Sequence, residues 1–348
     1  MFYLKYRPRT ISTLDNSTAR EAITNILNHQ KNLPHAYLFV GQKGTGKTST
    51  ARIFAKAINC SNNKFANKSD SIEPCNTCEN CKRIDTSTSA DVTELDAASN
   101  RGIEEIKNII RESSFAPMSG KFRVFIIDEA HMITTEAFNA LLKTLEEPPP
   151  SVMFILATTN EEKVPKTIQS RCFKVVFGKA RKADVIQQLH RIVKEEKIKV
   201  DEKVLDLIAT HSDNSFRDAA KILEELVIQN RLQFDEAQQY LGVRSKQSLL
   251  YILQDKELKD ALKWIDDFSA TGGSYKNLIE ELLEELRVTL LIKNGVLSEE
   301  KNMYNLGIKD ISLLMKLMNE AYGLIKSSPI ESLPLELAVL DFYGRKLK

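Results

Sequence analysis

Tyr37-Leu38-Phe39-Val40-Gly41-Gln42-Lys43-Gly44-Thr45-Gly46-Lys47-Thr48 decides how the first half of this chain folds. The four residues before Gly41 are aromatic or aliphatic and read as a short buried strand. From Gly41 the spacing is that of the eight-residue phosphate-binding loop, G-x-x-x-x-G-K-[ST], and a helical pattern runs on from Thr48 to Ile58. A strand that breaks at such a loop and resumes as a helix turns backbone N–H groups and a positive helix end toward an anion. Gly41, Gln42, Lys43, Gly44, Thr45, Gly46 and Ser49 would cradle phosphates, with Lys47 reaching the β- and γ-phosphates. The Thr48 hydroxyl would bind Mg²⁺.

Working outward, four more apolar runs read as strands: Val92 to Leu95, Phe122 to Ile127, Val152 to Ala157 and Phe173 to Phe177. Helical patterns lie between most of them, at Ile103 to Glu112 and Thr135 to Leu145, the latter ended by Pro148-Pro149-Pro150. Strands alternating with helices predict an α/β domain with a parallel sheet covered on both faces. Val124-Phe125-Ile126-Ile127 delivers Asp128 and Glu129 to the carboxyl edge of that sheet, where ligands collect in open α/β folds. Asp128 suits a Mg²⁺ shell and Glu129 suits polarising an attacking water, so with the phosphate loop the pair indicates NTP hydrolysis. Thr158-Thr159-Asn160 closes the fourth strand. A polar group there would sense the γ-phosphate or simply cap the strand end.

Past Lys179 the strand signals stop. Ala183 to Glu196, Asp201 to His211, Phe216 to Gln229 and Phe234 to Leu241 read as short helices, and longer ones follow Gly242. Leu278 to Lys293 puts Ile279, Leu282, Leu283, Leu286 and Leu290 on one face. Gly272-Gly273 and Ser327-Ser328-Pro329 punctuate this part. The expected division is 1–178, α/β; 179–241, a small helical domain; and 242–348, a second all-α domain. There is no internal repeat and no low-complexity tract.

The composition bounds the alternatives. Lys plus Arg number 49 against 47 for Asp plus Glu, a net charge of +2, which excludes coating nucleic acid by bulk charge but leaves room for a local basic groove. The run Val152 to Ala157 is far short of the roughly 20 residues of a membrane helix. The segment Met1 to Thr10 has basic residues but no apolar h-region, so a cytoplasmic protein is expected. Cys60, Cys75, Cys78 and Cys81 have the spacing of a closed four-thiolate metal shell, which would give order to a polar segment expected to lack a core of its own. Zinc is favoured over an iron–sulfur cluster, because Asp85 stands where that cluster's usual fourth cysteine would fall. Cys172, beside a strand, reads as a core thiol.

These motifs occur in an order that resembles one family. Lys5-Tyr6-Arg7-Pro8, His35-Ala36-Tyr37-Leu38-Phe39, the four-cysteine insert, Glu94-Leu95-Asp96-Ala97-Ala98-Ser99 and Ile127-Asp128-Glu129-Ala130-His131-Met132 come first. Leu141 to Pro149, Ser170-Arg171-Cys172 and Ser215-Phe216-Arg217-Asp218-Ala219 follow. Together they resemble the bacterial DNA polymerase III gamma/tau subunits, the AAA+ ATPases of the sliding-clamp loader, densely to about residue 225 and more weakly beyond.

The resemblance implies an AAA+ P-loop NTPase domain with a zinc-binding insert, a helical lid and a C-terminal helical collar. It implies that Arg171 is an arginine finger acting in trans on a neighbour's ATP, that Arg217 senses the γ-phosphate of its own site, and that Arg7 and Pro8 border the adenine. Thr158 or Thr159 would be the first sensor. Ser99, Asn100 and Arg101, opening the helix after the second strand, would touch DNA backbone phosphate or serve only as an N-cap. The implied cofactors are ATP, Mg²⁺ and Zn²⁺. The implied partners are delta and delta-prime subunits and further copies of the chain in a hetero-pentamer, the beta sliding clamp and primed DNA, with no membrane. A transferase or DNA-directed DNA polymerase label would belong to the holoenzyme, since no polymerase carboxylate constellation is present. The end at Lys348 resembles the short, gamma-like form. The competing expectations are a branch-migration type AAA+ motor and a non-catalytic loader subunit.

Overall fold

The computed structural model describes residues 1–29, 33–100, 102–241, 246–270, 274–296 and 304–346. Arg101, Gly242, Gly272 and Gly273 lie outside them. The chain forms two compact units, Met1–Leu232 and Gln233–Lys348. The first holds the sheet together with the helices Lys182–Glu196, Glu202–His211 and Phe216–Ile228. The helix Phe234–Tyr240 belongs to the second.

Five strands make one sheet: β1 (Ala36–Gly41), β2 (Val92–Asp96), β3 (Arg123–Asp128), β4 (Val152–Thr158) and β5 (Phe173–Gly178). Their order is β2-β3-β4-β1-β5 and every pairing is parallel. Each predicted strand is therefore present within a residue or two. Successive side chains go to opposite faces, and on the central strands β1, β3 and β4 both faces are buried, while the edge strands β2 and β5 are partly exposed. Tyr37, Phe39, Val124, Ile126, Met153 and Ile155 join one core with the helices Ser17–Asn28 and Lys47–Asn59. Leu38, Phe125, Ile127, Phe154 and Leu156 join the other with Ile103–Ser113 and Thr135–Glu146. Strand β4 is buried along its whole length, as a central parallel strand must be.

The parallel register brings the chemistry to one edge. Val40 aligns with Thr158 and Asp96 with Asp128, so the ends of β1, β3 and β4 open on the same side. Because β1 lies between β4 and β5, the loop after β1 emerges at the crevice where the chain crosses to a distant strand, the usual ligand position of such sheets.

Two expectations are corrected. The segment between Cys60 and Cys75 is not coreless: Phe65 is buried in the first core and Ile72 packs against it. Ser99 and Asn100 do not open a helix. The helix starts at Ile103 with Gly102 as its N-cap, and Ser99 and Asn100 form a turn whose amides donate to the Asp96 carbonyl at 3.2 and 2.9 Å. The short Asx-type bonds around Asp96 hold that turn instead.

In the second unit, Leu258–Ala270, Tyr275–Lys293, Ile308–Leu324 and Leu333–Lys346 pack around Leu278, Leu282, Leu286, Leu314, Met318 and Phe342. Trp264 stacks on Phe268 with ring centroids 5.6 Å apart.

Candidate functional site

The loop after β1 is built by its glycines. Gly44 and Gly46 have φ of +77° and +96°, a region costly for any residue with a Cβ, and Gly46 caps the helix Lys47–Asn59. A Cβ on Gly44 would also stand 1.9 Å from the Ser215 Oγ. The Thr45 hydroxyl donates to the Gln42 carbonyl at 2.8 Å, closing the loop on itself. Lys47 is 5% exposed, and its ammonium donates to the carbonyls of Gly41 (2.8 Å) and Gln42 (2.9 Å). Burial lowers the Lys47 pKa, opposed by the charges of Glu129 and Asp128.

The Thr48 hydroxyl donates to Asp128 Oδ2 at 2.5 Å. Glu129 has φ +47° and ψ +45°, an unfavourable conformation for a residue with a side chain. Its carboxylate accepts from the Thr159 hydroxyl at 3.0 Å and lies 3.4 Å from His131 Nδ1. Thr158 is fully buried, its oxygen 3.1 Å from His131 Nδ1 and bonded within the turn to Asn160. The two threonines thus have separate places: Thr159 holds the carboxylate and Thr158 meets the imidazole.

These groups face a cavity of about 410 Å³. Lys43, Gly44, Thr45, Gly46, Lys47, Thr48, Ser49, Asp128 and Glu129 line it, together with Arg7, Pro8 and Arg217. Gly41 and Gln42 sit beneath, offering their carbonyls to Lys47. The Arg7 Nε donates to Ser49 Oγ at 2.7 Å, and burial and the nearby Arg52 lower its pKa. Arg217 lies over the Tyr3 ring, 4.9 Å from its centroid. The Phe216 amide donates to the Gly44 carbonyl at 3.1 Å, fixing the helix that carries Arg217 against the phosphate loop.

Sequence reasoning missed several lining residues: Tyr3, Tyr6, Leu14, Asp15, Asn16 and Gln188. Asn16 is 5% exposed, caps the helix Ser17–Asn28 through its Oδ1, and donates to the Phe177 carbonyl at 2.9 Å. The Asn16-Ser17 helix start was the one signal available for it.

Arg171 does not line this cavity. It stands just before β5, whose first residue Phe173 pairs with Tyr37 near the start of β1, whereas the phosphate loop follows the end of β1. A six-residue strand, roughly 20 Å, separates the two ends. Its guanidinium pairs with Glu146 and donates to the Thr167 carbonyl at 2.7 Å.

The four cysteines converge, with all Sγ atoms within 4.8 Å of one another. Cys60 caps the helix from the phosphate loop, and Cys78 and Cys81 start the helix Glu79–Asp85. Backbone N–H groups of Asn62 and Cys75 point at Cys60 Sγ (3.4 and 3.3 Å), and that of Cys78 points at Cys75 Sγ (3.3 Å). At Cys75 burial works to raise the thiol pKa, but donors from Thr77 and Cys78 outweigh it and bring it down to about 5. Four thiols gathered at this spacing, with amides aimed at two of the sulfurs, fit one tetrahedral metal ion. Cys172 packs partly buried against the second core, and burial pushes its thiol up to about 12.

Fold and loop define a P-loop protein of the AAA+ class. The RuvB Holliday junction branch migration motor of Thermotoga maritima has a similar fold, with a TM-score of 0.50 over 73% of this chain and 80% of that one, at 14% identity. The family described as DNA polymerase III, delta subunit, matches residues 16–181. DNA polymerase III subunit tau of Bacillus subtilis is 39% identical over 86% of this chain and 54% of its own length. For the gamma/tau subunit of Mycoplasma genitalium the figures are 35%, 99% and 60%. For the gamma subunit of Buchnera aphidicola they are 35%, 83% and 78%. The chain belongs to the DNA polymerase III gamma/tau subunit family. It spans 54% and 60% of the length of the first two relatives.

Proposed function

We propose that this chain is a motor subunit of a DNA polymerase III clamp loader, an ATPase that loads the sliding clamp onto primed DNA. The observation that carries the reading is the split of the machinery. Lys47, Thr48, Asp128, Glu129 and Arg217 share one cavity, while Arg171 stands at the other end of the sheet. A site that needs an arginine finger then receives it from a neighbouring copy, and such a finger can contribute roughly 10³–10⁵ in rate.

In this reading Lys47 turns from its two carbonyls toward the β- and γ-phosphates. Thr48 and Asp128 hold Mg²⁺, which neutralises phosphate charge when bound. Glu129, oriented by Thr159, accepts the proton of the attacking water. Arg217 leaves Tyr3 to meet the γ-phosphate. Thr158 is read as the first sensor, acting through His131. The Cys60, Cys75, Cys78 and Cys81 shell is read as a structural zinc site.

The same reading divides the chain into an ATPase domain (1–178), a lid (179–241) and a collar (242–348). It places the protein in the cytoplasm with delta, delta-prime, further copies of itself, the beta clamp and primed DNA as partners. No helix of the described residues is long and apolar enough to cross a membrane.

The test is native mass measurement of the chain mixed with candidate delta and delta-prime subunits, followed by clamp loading on primed DNA. A closed hetero-oligomer that loads clamp only with ATP supports the reading. ATP-driven junction movement with no clamp dependence overturns it.

A further inference from the structure

The four-cysteine insert is tied to the first fifteen residues by two charged side chains. Glu73, two positions before Cys75, accepts from the backbone N–H of Ile11 through Oε2 and of Ser12 through Oε1, each at 2.7 Å. Lys56, on the helix leaving the phosphate loop, is 1% exposed. Its ammonium donates to the Arg9 carbonyl at 2.9 Å and to Asn76 Oδ1 at 2.7 Å, and it pairs with Asp85 at 2.8 Å. Asn76 lies between Cys75 and Cys78 with φ +56°, and Asp85 ends the helix that carries Cys81. One buried ammonium therefore gathers the N-terminal segment, the turn between two cysteines and the helix of a third.

The segment held in this way is a wall of the cavity. Arg7, Pro8, Leu14 and Asp15 line it, Ile11 and Leu14 are anchored in the sheet's core, and Arg7 bonds Ser49. In the reading of the cavity as an ATP site, the phosphate loop takes the polyphosphate and this wall borders the nucleoside. Residues 7–15 form no helix or strand; the Thr10–Thr13 bonds and the Arg191 pair with Asp15 fold and tether part of the segment, and the Glu73 carboxylate satisfies two of its amides.

We propose that the insert is a positioning element of the nucleotide site, with Glu73 and Lys56 holding the nucleoside wall in place without touching the nucleotide. This rests on the reading of the cavity as an ATP site. Bonds to a charged acceptor are among the stronger ones, so losing both is expected to weaken nucleotide binding about tenfold.

The experiment uses the full chain carrying Glu73→Ala. It reads zinc content, amide exchange at Ile11 and Ser12, equilibrium binding of labelled ATP with Mg²⁺, and KM and kcat in the assembled loader. Faster exchange, unchanged zinc, an ATP Kd and KM about tenfold higher and kcat within about twofold are expected. Glu73→Gln keeps one acceptor and is expected to raise KM about threefold; it carries the test if the alanine variant does not fold. Wild-type affinity in the folded variants overturns the proposal, as does a fall in kcat with KM unchanged. A wild-type chain that binds no ATP would instead refute the reading of the site itself.

Discussion

Thr48 and Asp128, 80 positions apart, meet at 2.5 Å, the hydroxyl donating to the carboxylate. The contact joins the helix after β1 to the end of β3, and in the proposed function these two side chains hold Mg²⁺. Asp128→Asn keeps the shape and removes the charge. It is expected to leave ATP binding measurable and to lower hydrolysis by about a hundredfold or more, the scale of losing one preorganised electrostatic group. Steady-state turnover across a Mg²⁺ titration checks this, and wild-type turnover would remove Asp128 from the site.

Gly44 is constrained twice, by φ +77° and by Ser215 Oγ at 1.9 Å from a would-be Cβ. Ser215 is in turn the N-cap of the helix Phe216–Ile228, accepting from the Asp218 amide. Gly44→Ala should cost about 2 kcal/mol or more from backbone conformation and the disturbed cap together. That corresponds to roughly 4–8 °C in melting temperature. Adding Ser215→Gly should recover part of the loss by opening the space. A melting temperature unchanged in Gly44→Ala would show that the loop does not press on this helix.

Asp15 lines the cavity wall and pairs with Arg191 at 2.9 Å, yet burial raises its pKa from 3.8 to about 6. The folded state therefore binds this proton more tightly than the unfolded state, and stability falls as pH rises from about 4 to about 6, then levels off. Asp15→Asn should abolish that slope. Thermal melts of both proteins between pH 4 and pH 7 compare them. The account fails here if wild type gains stability relative to the variant over that range.

The cysteine shell predicts about one zinc per chain by elemental analysis. Cys78→Ser should lower that content sharply and lower the melting temperature, because the shell ties the helix Glu79–Asp85, which Cys78 precedes, to Cys60 at the end of the helix Lys47–Asn59. Visible absorbance from iron in the purified protein would instead favour a cluster.

Much of this was legible in the sequence, and the limits have physical causes. The strands were readable because Val124 to Ile127 and Val152 to Ala157 are buried on both faces and so are apolar without interruption. The phosphate loop was readable because its glycines are fixed by local backbone geometry. Strand order was not, because nothing local says that β1 lies between β4 and β5. Tyr3, Asp15 and Gln188 were invisible for the same reason: each reaches the cavity through packing with elements far away in sequence. Asp96 shows a different limit: its carboxylate and carbonyl hold Ser99 and Asn100 in a turn, so neither caps the next helix, which starts at Ile103 as its pattern predicts, with Gly102 as its N-cap. Phe65, a single aromatic in a polar stretch, gave no periodic signal of the core it joins.

The most direct test of the whole account is ATP turnover by Lys47→Ala in the assembled loader with clamp and primed DNA. Lys47 is buried beside the cavity, its ammonium bonded to the Gly41 and Gln42 carbonyls, from which a bound phosphate would draw it. The predicted result is turnover at background, with zinc content as in the wild type. Hydrolysis at the wild-type rate would contradict the assignment of this cavity as the ATP site.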